Sequence, residues 1–452
     1  MLDNKHENML PFDMSEPPVT VPSLLMPLIW GASFIMTRAS HLKIRRVGMD
    51  RINSPFLVLS THQGFSDYYI APLALYPYKA NYVSDMEGFA AFGKKLYRNI
   101  GCIGKRRYVP DVTVLQNIGK CFDMGNPVVI FPESRHSNVG TTSLIPKNMG
   151  RLAKFFAKKY RTPLVILSVH GSYLANPFWD EEHTRKGKME ATLELLYTAE
   201  ELLEVDEAVI QEKIEEKLSY DEYEWQHKNR VRFTGKNLAD GLHLPLYQCR
   251  SCGKKYTMIS HDNRIGCKTC RKVWKLSPYG RLYDTAGKEY SIVDWYNWEW
   301  ENAEEELKSA IEIKRRSVPK DAPKSSIKNS SVPHTFRQFN VRIEALPNEY
   351  GFVKLGEGRL ALGSEAFTLE FPLKKKYNYT PSNWTISDGK CAIVFPHKTR
   401  ESLQTEYNYR GRGPAIVLSH QDMTYYIFSD DKDFNPTELQ FISEALSSNP
   451  NL

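Results

Sequence analysis

Short apolar runs alternate with amphipathic stretches over residues 52–170. Phe56–Leu59, Ala80–Ser84, Val128–Phe131 and Leu164–Ser168 have the length and apolar content of buried strands. Between them, Asp67–Leu75, Asp111–Asp123 and Met149–Tyr160 carry apolar residues at helical spacing. This alternation predicts an α/β domain with a largely parallel sheet. Met189–Tyr197 adds a further strand. Thr198-Ala-Glu-Glu201 then matches a capping box, and Glu207–Leu218 reads as a helix. In such sheets ligands gather at the carboxyl ends of the strands.

The pattern changes further along. Residues 245–290 form a small unit around four clustered cysteines. Asp294–Ile313 reads as a helix rich in Trp and Glu, and Lys314–Pro333 as a Ser, Lys and Pro linker. From Phe336 onward short strands follow one another: Asn340–Leu346, Gly351–Leu355, Arg359–Leu362, Phe367–Phe371, Trp384–Ser387, Cys391–Phe395, Ala415–Leu418 and Thr424–Phe428. Pro436–Leu446 closes the chain as a helix, with Asn435 as its cap. About seven strands and one helix give a mostly-β, pleckstrin-homology-like expectation for residues 336–452. The expected divisions are therefore 1–50, 51–240, 245–290, 291–335 and 336–452.

Charge sharpens the picture. Residues 1–190 carry 24 Lys and Arg against 15 Asp and Glu, whereas Ala191 to Glu224 carries two Lys against twelve acids. The acidic run fits a solvated helical face. The basic half points to an anionic partner: a membrane surface, a phosphate-bearing substrate or nucleic acid. Pro17–Thr37 holds no charge and is rich in Leu, Ile, Met, Phe and Trp. Pro22 and Pro27 interrupt it and Arg38, Lys43, Arg45 and Arg46 follow. Residues 1–50 therefore read as an interfacial or re-entrant membrane contact rather than a spanning helix, with a buried core helix fitting this segment equally well. No secretory signal is recognisable, and the three cysteines outside the cluster (Cys102, Cys121, Cys391) are scattered, which points to a reducing compartment.

Two constellations carry chemistry. His62 and Asp67 stand five residues apart in Ser-Thr-His-Gln-Gly-Phe-Ser-Asp, just after the first strand, with Gly64 allowing a tight turn. A carboxylate one turn from an imidazole can hold it in one tautomer, and such a histidine can take a proton from an alcohol. The second constellation is Cys249-x2-Cys252, fourteen residues, then Cys267-x2-Cys270. Two such knuckles complete a tetrahedral thiolate shell, so a structural zinc ribbon is expected. His261, between the pairs, reads as a loop residue and not as a ligand.

The chain resembles glycerolipid acyltransferases of the 1-acylglycerol-3-phosphate acyltransferase (PlsC-type) family. The resemblance rests on four blocks in order: His62 to Asp67 for H-x4-D; Gly101-Cys-Ile-Gly-Lys-Arg-Arg107 for G-x5-R; Phe131-Pro-Glu133-Ser-Arg135-His136-Ser137 for F-P-E-G-T-R-S; and the strand Pro163-Leu-Val-Ile-Leu. It implies that residues 51–240 form an α/β acyltransferase domain. Its activity would move a fatty acyl group from acyl-CoA or acyl-carrier protein to a lysophospholipid hydroxyl, 1-acylglycerol-3-phosphate by analogy, in phospholipid biosynthesis on the cytoplasmic face of a membrane. His62 would be the general base and Asp67 its partner. Arg107, Glu133, Arg135 and His136 would bind the acceptor, since a guanidinium fork suits phosphate. In the third block Ser134 replaces Gly, Arg135 replaces Thr and His136 replaces Arg, so the cation has moved by one position. That shift aims the cation away from the family's phosphate contact in this block, and Gly104-Lys105 in the second block, where the family has apolar residues, points to an acceptor different from lysophosphatidate.

Two other readings compete. Arg250, Lys254, Lys255, Lys268, Arg271 and Lys272 surround the cysteines, and Tyr256 and Trp274 could stack on bases, as a nucleic-acid-binding ribbon requires. That reading leaves His62 and Asp67 without a task, and ribbons commonly serve as structural or protein-contact modules, so a protein partner at the ribbon or the C-terminal region ranks above nucleic acid. The altered third block is also compatible with a catalytically inactive lipid-binding scaffold, against which the intact first block argues.

Overall fold

A computed structural model describes residues 7–53, 55–180, 182–317, 335–373 and 376–448. Its first sheet holds seven strands: β1 (Lys43–Val47), β2 (Leu57–Ser60), β3 (Asn81–Asp85), β4 (Cys102–Lys105), β5 (Val128–Ile130), β6 (Leu164–His170) and β7 (Glu190–Tyr197). Their order is β1-β7-β6-β2-β5-β3-β4. Every neighbouring pair is parallel except β6 with β7. The largely parallel α/β sheet expected from the sequence is present.

β2 lies in the middle and is buried along its whole length. Its alternating side chains serve two cores. Val58 packs with Val129, Val165 and Ile70 on one face, while Leu57 and Leu59 meet Ile118, Phe156 and Ile214 on the other. The helices Asp67–Ala74, Val112–Asp123, Met149–Tyr160 and Glu207–Leu218 supply these partners. Asp111 caps the second of them and Thr198 and Glu201 form the capping box of Ala199–Glu204. The two edge strands, β1 and β4, had no recognisable pattern. β1 is Lys-Ile-Arg-Arg-Val and mostly exposed, and β4 contains a glycine and a lysine.

Five short antiparallel strands follow: β8 (Met258–His261), β9 (Arg264–Cys267), β10 (Val273–Leu276), β11 (Leu282–Asp284) and β12 (Glu289–Tyr290). This unit has no core of its own. Cys249, Met258, Ile265 and Trp274 join one apolar cluster with Trp179, Leu238 and Leu242 and with the helix Ile292–Ser317 through Trp295. Most of the expected Lys314–Pro333 linker, residues 318–333, lies outside the described residues.

The C-terminal region is one antiparallel sheet of eight strands: β13 (Thr335–Asn348), β14 (Gly351–Gly363), β15 (Ala366–Pro372), β16 (Trp384–Ser387), β17 (Lys390–Pro396), β18 (Gln404–Glu406), β19 (Ala415–Ser419) and β20 (Thr424–Phe428). Gly351–Leu355 and Arg359–Leu362, expected as two strands, are one: β14 runs through Gly356 with only a register shift against β13. β18 has too little apolar content to be seen in the sequence. The helix Pro436–Ser448 ends the fold, and Asn435 caps it through Glu438 N at 3.0 Å. This region is fused to the first sheet. Phe89 and Tyr97 share a core with Leu346, Phe352, Tyr426 and Phe428, and Phe441 joins the cluster around β2.

The uncharged N-terminal segment forms the helix Met26–Thr37. Among the described residues no helix is long and apolar enough to cross a membrane.

Candidate active site

β2 ends at Ser60 and the chain turns through His62 into the helix Asp67–Ala74. This places His62 at the carboxyl end of a central parallel strand. His62 Nδ1 lies 3.5 Å from Asp67 Oδ2, and both residues are buried. The carboxylate is fixed from several sides. Gln63 N and Gly64 N donate to Oδ2 at 2.7 and 3.0 Å, and Ser172 Oγ donates to Oδ1 at 2.6 Å. Gly64 does not adopt positive φ, and a side-chain carbon there would meet only ordinary contacts. Its contribution to the turn is the N–H given to Asp67, not a glycine-only conformation.

Gln63 is tied down as well. Its Nε2 donates to Val169 O at 2.6 Å and to Glu222 Oε1 at 3.0 Å. Glu222 is fully buried, takes the Gly171 N–H, and pairs with His170 Nδ1 at 2.8 Å. The histidine turn is thus anchored to the neighbouring strand β6.

The third sequence block comes to the same strand end. Glu133 Oε1 accepts from His62 N at 2.9 Å, and its Oε2 accepts from Ser143 N at 2.7 Å and Tyr220 Oη at 3.1 Å. Burial pushes the Glu133 carboxyl above its usual range, against these hydrogen bonds. Ser134 sits at φ +59°, the left-handed region that favours glycine. The turn therefore keeps a glycine-type backbone although the side chain has changed. His136 packs its ring 4.4 Å from that of His62, at 65°, and against Phe65 at 4.9 Å. Its Nε2 is buried without a hydrogen-bond partner. Burial, together with the neighbouring His62, holds this imidazole well below the usual histidine range, so it is neutral at pH 7.

The two arginines are nearby but already engaged. Arg107 forms an ion pair with Asp85, the residue that caps the helix Met86–Phe92. Arg135 is buried and its Nη2 lies 3.5 Å from Glu444 Oε1 on the C-terminal helix. Lys105 Nζ donates to Val109 O at 2.9 Å, and Arg106 Nη2 donates to Pro347 O in β13 at 3.0 Å. Ser172, Gln63, Glu222, Asp85 and Glu444 were not singled out in the sequence. Ser172 had one available signal, its place just after strand β6. Glu444, far along the chain, had none.

The cysteine expectation is met by proximity. The Sγ atoms of Cys249, Cys252, Cys267 and Cys270 all lie within 4.8 Å of one another. Cys249 and Cys270 are 3.7 Å apart, and Cys252 and Cys267 are 3.8 Å apart. A tetrahedral metal with bonds of about 2.3 Å to sulfur separates its ligands by about 3.8 Å. The four cysteines thus form a set that could hold one metal ion. His261 is exposed and outside this set. Trp274 is buried against Trp295 at 4.8 Å, which leaves its ring no free face for a base, and Lys255 and the Tyr256 hydroxyl are bound to Glu438.

Residues 31–174 match the family model described as Acyltransferase. The matched segment contains His62, Asp67, Arg107 and the third block, so this part of the chain is an acyltransferase domain and the protein an acyltransferase enzyme. A solved structure similar to it is the 1-acyl-sn-glycerophosphate (LPA) acyltransferase PlsC from Thermotoga maritima, at 18% identity and TM-score 0.33, covering 42% of this chain and 79% of that one. Comparison with curated proteins returned no match.

Proposed function

We propose that the chain transfers a fatty acyl group from a thioester, acyl-CoA or acyl-carrier protein, to the hydroxyl of a lysophospholipid at a membrane surface. The observation that carries this reading is the His62–Asp67 pair at 3.5 Å, locked by Ser172, Gln63 and Gly64 at the end of β2. His62 takes the hydroxyl proton as the oxygen attacks the thioester carbonyl, and Asp67 stabilises the imidazolium that forms. The attacking oxygen belongs to the acceptor, so no serine or cysteine nucleophile is needed. When the tetrahedral intermediate collapses, the C–S bond breaks and the thiolate leaves, taking the proton from the His62 imidazolium to become the free thiol.

His136, neutral and with an unpartnered ring nitrogen beside His62, offers a hydrogen bond to the acyl group. Arg107, Glu133 and Arg135 wall the acceptor side. The apolar helix Met26–Thr37 supplies membrane contact, consistent with Leu28, Phe34, Ile35 and Met36 being exposed. The cysteine set holds a structural zinc, and the C-terminal sheet acts as a pleckstrin-homology-like contact module.

The test is His62→Ala in the full-length protein, with acyl-CoA and lysophospholipid and the products read by mass spectrometry. Turnover should fall at least about a thousandfold while the melting temperature and zinc content stay near wild type. Full activity in a folded His62→Ala protein would remove the assigned base and with it this mechanism.

A further inference from the structure

We infer that the acceptor carries no phosphate monoester, and that Asp85 and Glu444 are the residues that exclude it. The inference rests on the acyl-transfer reading above and concerns only the acceptor's headgroup.

A phosphate monoester is close to a dianion at pH 7 and needs uncompensated positive charge to leave water. The two guanidiniums that the sequence blocks bring towards His62 do not offer it. Arg107 faces Asp85, whose other oxygen accepts the Gly88 N–H at 3.3 Å, so the carboxylate is held in place by the helix it caps. Arg135 faces Glu444, whose Oε1 also accepts from Ser402 Oγ and, at 2.8 Å, from Gln440 Nε2. Neither acid is a loose surface partner. His136, whose ring lies 4.4 Å from that of His62, is held neutral by its burial and adds no positive charge. Asp67 and Glu133 add two more acidic groups within the same strand end.

Lys105 and Arg106 are the remaining cations, and their ends rest on Val109 O and on Pro347 O of the C-terminal sheet. A dianion beside His62 would meet arginines whose charge is already spent on carboxylates. A neutral glyceride, or a lysophospholipid whose phosphate is esterified, needs only the N–H groups that single-contact ion pairs leave free.

The experiment compares three acceptors with the full-length protein and one acyl-CoA: 1-acylglycerol 3-phosphate, its glycerol diester (lysophosphatidylglycerol) and 1-acylglycerol. Wild type should favour the better of the last two over the monoester by about tenfold or more in kcat/KM, the scale of one charge contact. Glu444→Gln keeps an oxygen for Ser402 and Gln440 but frees the charge on Arg135. Asp85→Asn does the same for Arg107 from the other side. Each folded variant should narrow the ratio about fivefold or more. A wild-type preference for the monoester, or a ratio unmoved in both variants, would overturn the inference. His62→Ala run on all three acceptors separates the two claims. Turnover of the monoester that depends on His62 sinks the acceptor inference and leaves acyl transfer standing, whereas no His62-dependent turnover of any acceptor sinks both.

Discussion

Ser172 holds the oxygen of Asp67 that faces away from His62. Its hydroxyl donates to Oδ1 at 2.6 Å while Oδ2 turns to the imidazole and to two backbone N–H groups. The two carboxylate oxygens thus have separate tasks. Losing the Ser172 bond leaves Oδ1 buried with one contact fewer and lets the carboxylate rotate. Ser172→Ala is expected to cost about 1–2 kcal/mol of stability and to lower kcat about tenfold with KM little changed. Initial rates at saturating lysophospholipid, beside a thermal melt, check this. A loss confined to KM would place Ser172 in substrate binding instead.

The cysteine set is tied to the acyltransferase domain through residues that are not ligands. Lys255, in the ribbon, pairs with Glu438 on the C-terminal helix at 2.7 Å, and Glu438 also takes Arg337 of β13. Glu444, six residues further along that helix, is the partner of Arg135. Unravelling the ribbon therefore takes one of the two cations from Glu438, on the helix whose Glu444 pairs with Arg135. With zinc in the set, Cys267→Ser should lower metal content from one ion per chain towards none, measured by elemental analysis. The same variant should lower the melting temperature by several degrees, a cost of about 2 kcal/mol or more. Metal content unchanged at one per chain would remove Cys267 from the ligand shell.

How much of this was legible in the sequence depended on where each residue's partners sit. β2, β5 and β6 are buried on both faces, so their apolar runs had one reading. Helix Met149–Tyr160 was legible at both ends because its apolar and basic residues alternate at helical spacing. β1 escaped because an edge strand with one solvated face can be made of arginines. The site followed the same rule. His62, Asp67 and Glu133 lie within short blocks whose spacing is itself the signal. Glu444 meets Arg135 across more than three hundred residues, and only the folded chain brings that carboxylate to the third block.

The C-terminal region carries a pH dependence of its own. His397 is buried, its Nε2 lies 3.0 Å from Gly363 O, and Ser443 Oγ and Phe367 border the ring. Burial is the main cause that lowers its pKa to about 4, with Arg400 pushing the same way. Unfolding restores the ordinary value near 6.5, so between those two pH values the unfolded chain binds more protons. Stability from this group is thus full above pH 6.5 and falls as pH drops towards 4. His397→Gln should remove about 2 kcal/mol of the stability lost between pH 7 and pH 4.5. Urea unfolding at the two pH values, for both proteins, measures the difference directly. Equal acid sensitivity would place the titrating group elsewhere.

Membrane contact is the prediction with the most exposed apolar surface behind it. In the helix Met26–Thr37, Leu28 and Phe34 are 68% and 63% exposed and Leu24 just before it is 88% exposed. Trp30, by contrast, is held against Tyr76 with ring centres 4.4 Å apart, which fixes the helix on the fold with its other face outward. Phe65, in the turn between His62 and Asp67, is 62% exposed as well. Side chains of this size gain about 1.5–3 kcal/mol each when they leave water. Leu28→Asp with Phe34→Asp should therefore weaken binding to phosphatidylglycerol-containing vesicles about tenfold or more, even if the two side chains insert only partly. Co-sedimentation with vesicles reads the partition, and a water-soluble short-chain lysolipid tests the chemistry apart from the surface. Turnover of the short-chain acceptor should stay near wild type, since neither residue touches His62. Undiminished vesicle binding in the double variant would mean that another face meets the lipid.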